Sequence, residues 1–284
     1  MVNSHIKQVI YFSLFGMAAY FSVMALIFVL FYLILGGGSV ISIKFLTSMW
    51  VHSDITKGGI LPAIIGTLLL AFGVSVISIP IGICTAIYLN EYAKDNLFTR
   101  IIKLSIRNLA GVPSIVYGLF GLAFFVLLLN LGTSLIAASL TLGCTTLPWI
   151  ITASEESLKS VPLSFREGSL ALGATKWQTI RTNVLPHSLS GMLTGSILGI
   201  SKAMGETAPI IMVGATFFLN HLPTSVFDKF MALPYHLFIL ATQHASPYAR
   251  TYALGTALVL IALIFLMNLS IFIARYRIRK RKEW

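Results

Sequence analysis

Six stretches of this chain stay apolar for about twenty residues or more, at roughly 9–35, 60–90, 106–131, 134–153, 188–219 and 251–275. About 20 apolar residues match the thickness of a bilayer's hydrocarbon core. Within that layer every backbone amide and carbonyl has to be satisfied by the protein itself, which selects helices for segments of this length. Composition agrees: 57% of residues are hydrophobic and 10% are charged, whereas a soluble domain carries roughly 25% charged residues. The expectation is an all-α integral membrane protein with six transmembrane helices. The first segment is too long for the core of a secretory signal, so it is read as a retained span.

The basic residues say which side is which. The chain has 20 Lys and Arg against 9 Asp and Glu, a net charge of +11. Nucleic-acid binding is a poor explanation, because the positive charges cluster between the apolar spans. If the N-terminus is cytoplasmic, the inside segments hold Lys7, Lys94, Arg100, Lys103, Arg107, Lys159, Arg166, Lys176, Arg181 and the six cations of the tail RYRIRKRK. The outside segments hold only Lys44, Lys57, Lys229 and Arg250. That asymmetry places both termini in the cytoplasm. Cys84 and Cys144 lie singly in apolar segments, and the six histidines show no metal-ligand spacing. Neither a disulfide, a metal nor any other cofactor is expected.

Pro80, Pro113, Pro148 and Pro209 fall within spans. Proline lacks an amide donor and bends or breaks helices, and in a bilayer the freed carbonyls need protein or water partners. Bent spans suit a transporter or channel better than a plain anchor. Gly111-Val112-Pro113-Ser114 is one such place, where a half-helix beginning near Ser114 would expose free amides suited to an anion. A simple proline kink is the plainer alternative there. The segment from Asn220 to Arg250 carries Pro223 and Pro234 and reads as a partly helical outer element rather than a seventh span.

The connection Glu155 to Pro186 is unusually long and structured for a loop. Ser164-x-x-Glu167 and Thr175-x-x-Gln178 both have the capping-box pattern. Gly173 offers a left-handed helix end between them, so two short cytoplasmic helices joined at Gly173 are expected. The plainer alternative is a solvated connector whose Lys and Arg only set topology.

Glu167-Gly168-Ser169-x-x-x-Gly173, nine residues, then Asn183-Val184-Leu185-Pro186 resembles the EAA loop of ABC-importer permeases. That pattern is E-A-A-x-x-x-G, nine residues, then I-x-L-P. Glu167, Gly173, Leu185 and Pro186 match, while Gly168, Ser169 and Asn183 depart from it. The stretches LAGVPSIVYGLFGL (109–122), LPWIITASEESLKSVP (147–162) and GETAP (205–209) are similar to the permeases of the phosphate-specific import system, of the PstA type. The resemblance implies the type I ABC-importer permease fold, with a helix and outer loop over 1–58 and a permease core over 59–284. It implies that Arg166, Glu167, Gly168, Ser169 and Gly173 belong to the element that docks on an ATP-hydrolysing subunit. It also implies a sister permease, two copies of that ATPase and an extracytoplasmic phosphate-binding protein as partners. The chain has no G-x-x-x-x-G-K-[ST] and no Gly-Lys dipeptide, so a nucleotide site would have to come from another polypeptide.

Lys202 and Glu206 stand four residues apart in the fifth apolar segment. An unpaired charge at the bilayer centre costs about 2.5–3.5 kcal/mol on insertion scales. Three readings remain open: a structural ion pair between helical neighbours, a face lining a path for phosphate, and a proton relay. For the path, Lys202 supplies charge and Thr207 a hydroxyl, while Glu206 moderates the potential. The resemblance supports this, since phosphate permeases carry a basic residue and Glu at the matching positions. Ser114 is a further candidate contact. Rival functions are a permease for sulfate, molybdate or phosphonate, and a proton-coupled secondary transporter.

Overall fold

The computed structural model of the chain describes residues 2–51, 53–219 and 221–280. Arg281 and Lys282 of the basic tail lie outside the described residues. Among those described, the architecture is helical, with one isolated backbone bridge between Ala215 and Phe230 and no strand.

Helix α1 (Val2–Gly37) is followed by the short α2 (Ile43–Thr47), capped by the Ser42 hydroxyl on the Phe45 amide. Helix α3 (Leu61–Ile87) starts on Pro62, passes through Pro80 and ends in a π turn over Tyr88–Tyr92. Helices α4 (Leu97–Leu109) and α5 (Ser114–Gly121) follow, with a π-helical extension of α5 over Leu122–Leu128. Helix α6 (Leu135–Lys159) is capped by the Ser134 hydroxyl and runs through Pro148. Helices α7 (Leu163–Ala171) and α8 (Lys176–Thr179) lead through a π turn at Ile180–Val184 into α9 (Leu185–Gly205). Helices α10 (Ala208–Val213), α11 (Leu233–Thr242) and α12 (Ala249–Lys280) complete the fold.

Among the described residues four helical stretches are long and apolar enough to cross a membrane: Lys7–Val40, Leu61–Tyr92, Leu135–Lys159 and Ala249–Ser270. The pair α4 and α5 makes a fifth if its arms, bent by 103°, count as one crossing. The span expected at 106–131 is therefore not straight. Pro113 adopts φ −56°, ψ 138°, an extended geometry that stops one helix and starts the next. The segment expected at 188–219 is also divided. Pro209 has no N–H for the Gly205 carbonyl and its ring clashes there, so α9 stops at Gly205 and Glu206 is extended (φ −75°, ψ 125°). Pro80 and Pro148 lie inside continuous helices. Helix α9 alone is not among the long apolar stretches, in keeping with its four serines, Thr194 and Lys202.

The centre of the bundle is α3 against α6 and α6 against α9. Small residues bring these helices together: a Cβ on Gly82 would strike Ile150, and one on Gly191 would strike Ser157. In a membrane, where water does not drive helices together, such close packing and polar contacts supply the attraction. Ser78 and Thr146 provide one, with Thr146 Oγ1 donating to Ser78 Oγ at 3.0 Å. Helix α1 leans on α12 only near its end, where Gly37 lies against the Gly255 backbone. Helix α11 packs back on α3 and α12, and the Leu233 amide donates to Thr67 Oγ1 at 2.9 Å. Phe230, Met231, Ala232 and Leu233 leading into it are fully buried.

Candidate functional site: a polar cavity at two broken helices

The break between α4 and α5 and the break between α9 and α10 bound one cavity of about 190 Å³. It is lined by Leu109, Ala110, Val112, Ser114, Tyr117, Thr145, Lys202 and Glu206. Each wall has a local cause. Residues 110–112 turn tightly after α4, with the Gly111 amide donating to Asn108 O at 3.0 Å and Val112 to Leu109 O at 3.2 Å. Tyr117, one turn into α5, donates its phenol to Leu109 O at 2.9 Å and ties the two arms of the bend. The Val116 amide of α5 donates to Pro113 O at 3.0 Å, and the two amides before it have no earlier turn to bond to. Opposite, Thr145 sits near the middle of α6 and donates to Leu142 O at 2.7 Å. Gly118 lets α5 approach α10, because a Cβ there would lie 2.9 Å from Pro209 Cα.

Three of the four residues expected on a solute path, Ser114, Lys202 and Glu206, therefore meet at one cavity. Thr207 does not line it. It caps α10 by position, with no side-chain bond to the helix amides. The ion pair of Lys202 with Glu206 on one helical face, one of the three open readings, does not form. Glu206 follows the last residue of α9, so it leaves the i, i+4 face. The Lys202 ammonium lies instead 4.7 Å from the centroid of the Trp149 ring. Trp149 is half-exposed, on α6 directly after Pro148. Spacing in the sequence does not point to Trp149, Tyr117 or Thr145. Their only signal is polarity, or a lone indole, inside apolar runs next to proline.

The loop after α6 forms the second region. Helix α7 begins at Leu163 directly after Pro162, and no side chain caps it. Ser164 is therefore already helical and the expected box with Glu167 does not form. The second box does: Thr175 Oγ1 accepts from the Gln178 amide and Gln178 Oε1 from the Thr175 amide. Gly173 takes φ +82° between the helices, as a left-handed turn requires. Helix α8 is not a separate short helix, since the chain continues helically through the π turn into α9.

Arg166 holds this loop to the bundle. Its guanidinium donates to Glu91 Oε1 at 2.9 Å and to the carbonyls of Leu158 and Val161 at 2.9 and 2.7 Å. Those carbonyls lie at and just past the end of α6, where helix acceptors lack intrahelical donors. Both side chains are largely buried, 16% exposed for Arg166 and 7% for Glu91. Ser169 Oγ accepts from Thr179 Oγ1 at 3.0 Å, joining α7 to α8. Glu167, Gly168 and Gly173 are exposed, beside exposed Leu163, Leu170 and Leu172, the last 91% exposed. The five expected coupling residues thus divide into two that brace α7, Arg166 and Ser169, two exposed on α7, Glu167 and Gly168, and Gly173 exposed in the turn after it.

A helical membrane chain with two broken helices meeting at a charged cavity is a transporter subunit in form. Residues 78–284 match the family of the binding-protein-dependent transport system inner membrane component, and the chain belongs to that family of ABC-transporter permeases. It is 30% identical over 280 residues to a Bacillus subtilis protein named "Probable ABC transporter permease protein YqgI", with 95% of each chain covered. It is 35% identical over 244 residues to the phosphate transport system permease protein PstA 1 of Mycobacterium tuberculosis, covering 82% of this chain and 77% of that one. Its fold is similar to the inward-facing MetNI methionine ABC transporter, at a TM-score of 0.63 and 18% identity, over 77% of this chain and 95% of the other. The protein is a multi-pass component of the inner membrane, and the likeness to the solved importer extends to its fold alone.

Proposed function

We propose that this chain conducts inorganic phosphate into the cytoplasm as one of two unlike permease subunits of an ATP-driven importer. The chain would cross the membrane six times, with both termini cytoplasmic. In this reading α4 with α5 forms one crossing and α9 with α10 another. A sister permease closes the path, two ATPase subunits bind below and a phosphate-binding protein delivers the solute. The chain itself hydrolyses nothing.

The observation that carries this reading is the meeting of Ser114, Lys202 and Glu206 at one cavity between broken helices. Broken helices recur at transporter solute sites because they put backbone polar groups and side chains at the midplane. Lys202 provides charge for a small anion, but Trp149 competes for it with a cation–π contact typically worth about 0.5–2 kcal/mol. A cation already engaged binds an arriving anion weakly enough to release it. Glu206 suits phosphate in particular. At neutral pH phosphate carries at least one P–OH that donates to a carboxylate, whereas sulfate carries no proton to give.

Exposed Glu167, Gly168 and Gly173 form the ATPase-docking surface. Closure of the ATPase dimer would move α7, and the Arg166–Glu91 pair would pass that movement to α3 and α6 as one piece. ATP has to favour the outward state over the inward one for this cycle to run. Transport by the assembled complex in proteoliposomes tests the substrate. Phosphate uptake should resist excess sulfate in the wild type, and Glu206→Gln should lose that discrimination. Sulfate uptake at the phosphate rate by the wild type would replace phosphate with another oxyanion.

A further inference from the structure

Helix α4 presents three faces with three chemistries. Ile102 and Ile106 turn inward and pack against the cluster of Leu89, Leu158 and Val161. Leu97, Phe98, Ile101 and Leu104 remain on the free surface, with Phe98 71% exposed. Arg100, Lys103 and Arg107, spaced three and four apart, share the remaining side. With Lys94 they line a groove of about 570 Å³ whose apolar walls are Leu89 and Leu104.

Two acids temper the groove. Asp95 lies 4.0 Å from Arg100 and is itself 91% exposed, and Glu155 is 3.0 Å from Lys103. Among the described residues Lys94 and Arg107 have no acidic partner. The groove therefore keeps a surplus of positive charge next to hydrocarbon. Its place in the fold matters as much. Lys103 reaches Glu155 in the last turns of α6, the end from which α7 emerges. Helix α4 also meets α5 at 103°, so the crossing that the two make together is bent, and the basic side of α4 stays beside the coupling-loop end of α6. An apolar face flanked by basic residues is the pattern of a helix lying in the headgroup region, and cations near that surface draw anionic lipids.

We propose that α4 seats an anionic phospholipid of the leaflet on the coupling-loop side. Its phosphate lies among Lys94, Arg100 and Arg107, and its acyl chains run over Leu97 and Leu104. This rests on the reading of that end as a membrane surface, and not on phosphate as the solute. Because α4 leads through residues 110–113 directly to Ser114, an occupied groove also steadies one wall of the cavity.

The test uses the assembled transporter. After exposure to phosphatidylglycerol or phosphatidylcholine, native mass spectrometry counts the lipids each complex retains. The wild type should keep phosphatidylglycerol in preference, and Arg100→Gln/Arg107→Gln should keep less by about tenfold or more. Equal retention by both proteins overturns the proposal, as does displacement of the lipid by millimolar inorganic phosphate. A second measurement needs no variant. Amide exchange over residues 97–109 of the wild type should be slower in phosphatidylglycerol nanodiscs than in phosphatidylcholine ones, and equal rates overturn the proposal. A photoreactive residue at Phe98 that cross-links to the sister permease rather than to lipid also overturns it. A change of solute from phosphate to another anion would leave all these outcomes untouched, so the two readings fail separately.

Discussion

The Lys202 side chain lies on the Trp149 indole rather than in an ion pair with a carboxylate. That contact leads to a kinetic expectation. Trp149→Leu should release the ammonium toward the cavity and lower the KM for phosphate several-fold, as loss of about 1 kcal/mol of competition requires; turnover should slow. An unchanged KM would separate Trp149 from the path. Arg166 and Glu167, adjacent in sequence, should fail in different ways. Arg166→Met leaves Glu91 buried without its partner, a loss of ~3 kcal/mol, and should raise amide exchange across residues 163–171. Glu167→Lys should leave that exchange unchanged and weaken co-purification of the ATPase. The cost of Lys202 and Glu206 was legible from hydropathy alone, but their separation was not. It depends on Pro209 ending α9 four residues earlier, which cancels the i, i+4 geometry that spacing implies. The Arg166–Glu91 pair was out of reach for a different reason: its members are 75 residues apart, and no local rule connects them.

The elements follow their punctuation closely where a turn needs one particular residue, and loosely where proline acts. Gly173 was readable because only glycine adopts φ +82° without strain. Gly173→Ala should cost about 1–2 kcal/mol, measurable as an earlier thermal unfolding of the loop. Proline was ambiguous: Pro80 and Pro148 are accommodated within helices, whereas Pro113 and Pro209 end or open them. The same residue type gives both outcomes because neighbouring packing decides whether a freed carbonyl is tolerable. Pro162 likewise displaced the start of α7 and disabled the Ser164 box, while Thr175, free of a preceding proline, formed its own. In the segment before α11, Asp228 accepts from the Thr224 and Ser225 amides and the Thr224 hydroxyl. Those bonds lower its pKa, the Ser225 amide most of all. A lowered carboxyl stabilises the segment above its unfolded value, about 3.9, and loses that as pH falls through the still lower folded value. Amide protection at Thr224 and Ser225 should therefore persist at pH 5 and disappear only in stronger acid.

At the scale of the whole molecule, two broken helices meet beside a bundle that small residues hold tightly, and the loop below is fastened to that bundle by one buried ion pair. The membrane class and the long spans were plain from apolar length, and the family from the loop motif. The cavity was not, because it arises where the 110–113 bend and the Glu206 break come together from distant parts of the chain. A cavity that carries the solute separates transport from ATP turnover. The direct measurement is phosphate uptake, together with ATP hydrolysis, by proteoliposomes holding the complete importer with Lys202→Ala in this chain. Uptake should fall at least about tenfold, the equivalent of ~1.4 kcal/mol, while hydrolysis stimulated by the binding protein continues. Uptake at the wild-type rate would take Lys202 and its cavity out of the phosphate path.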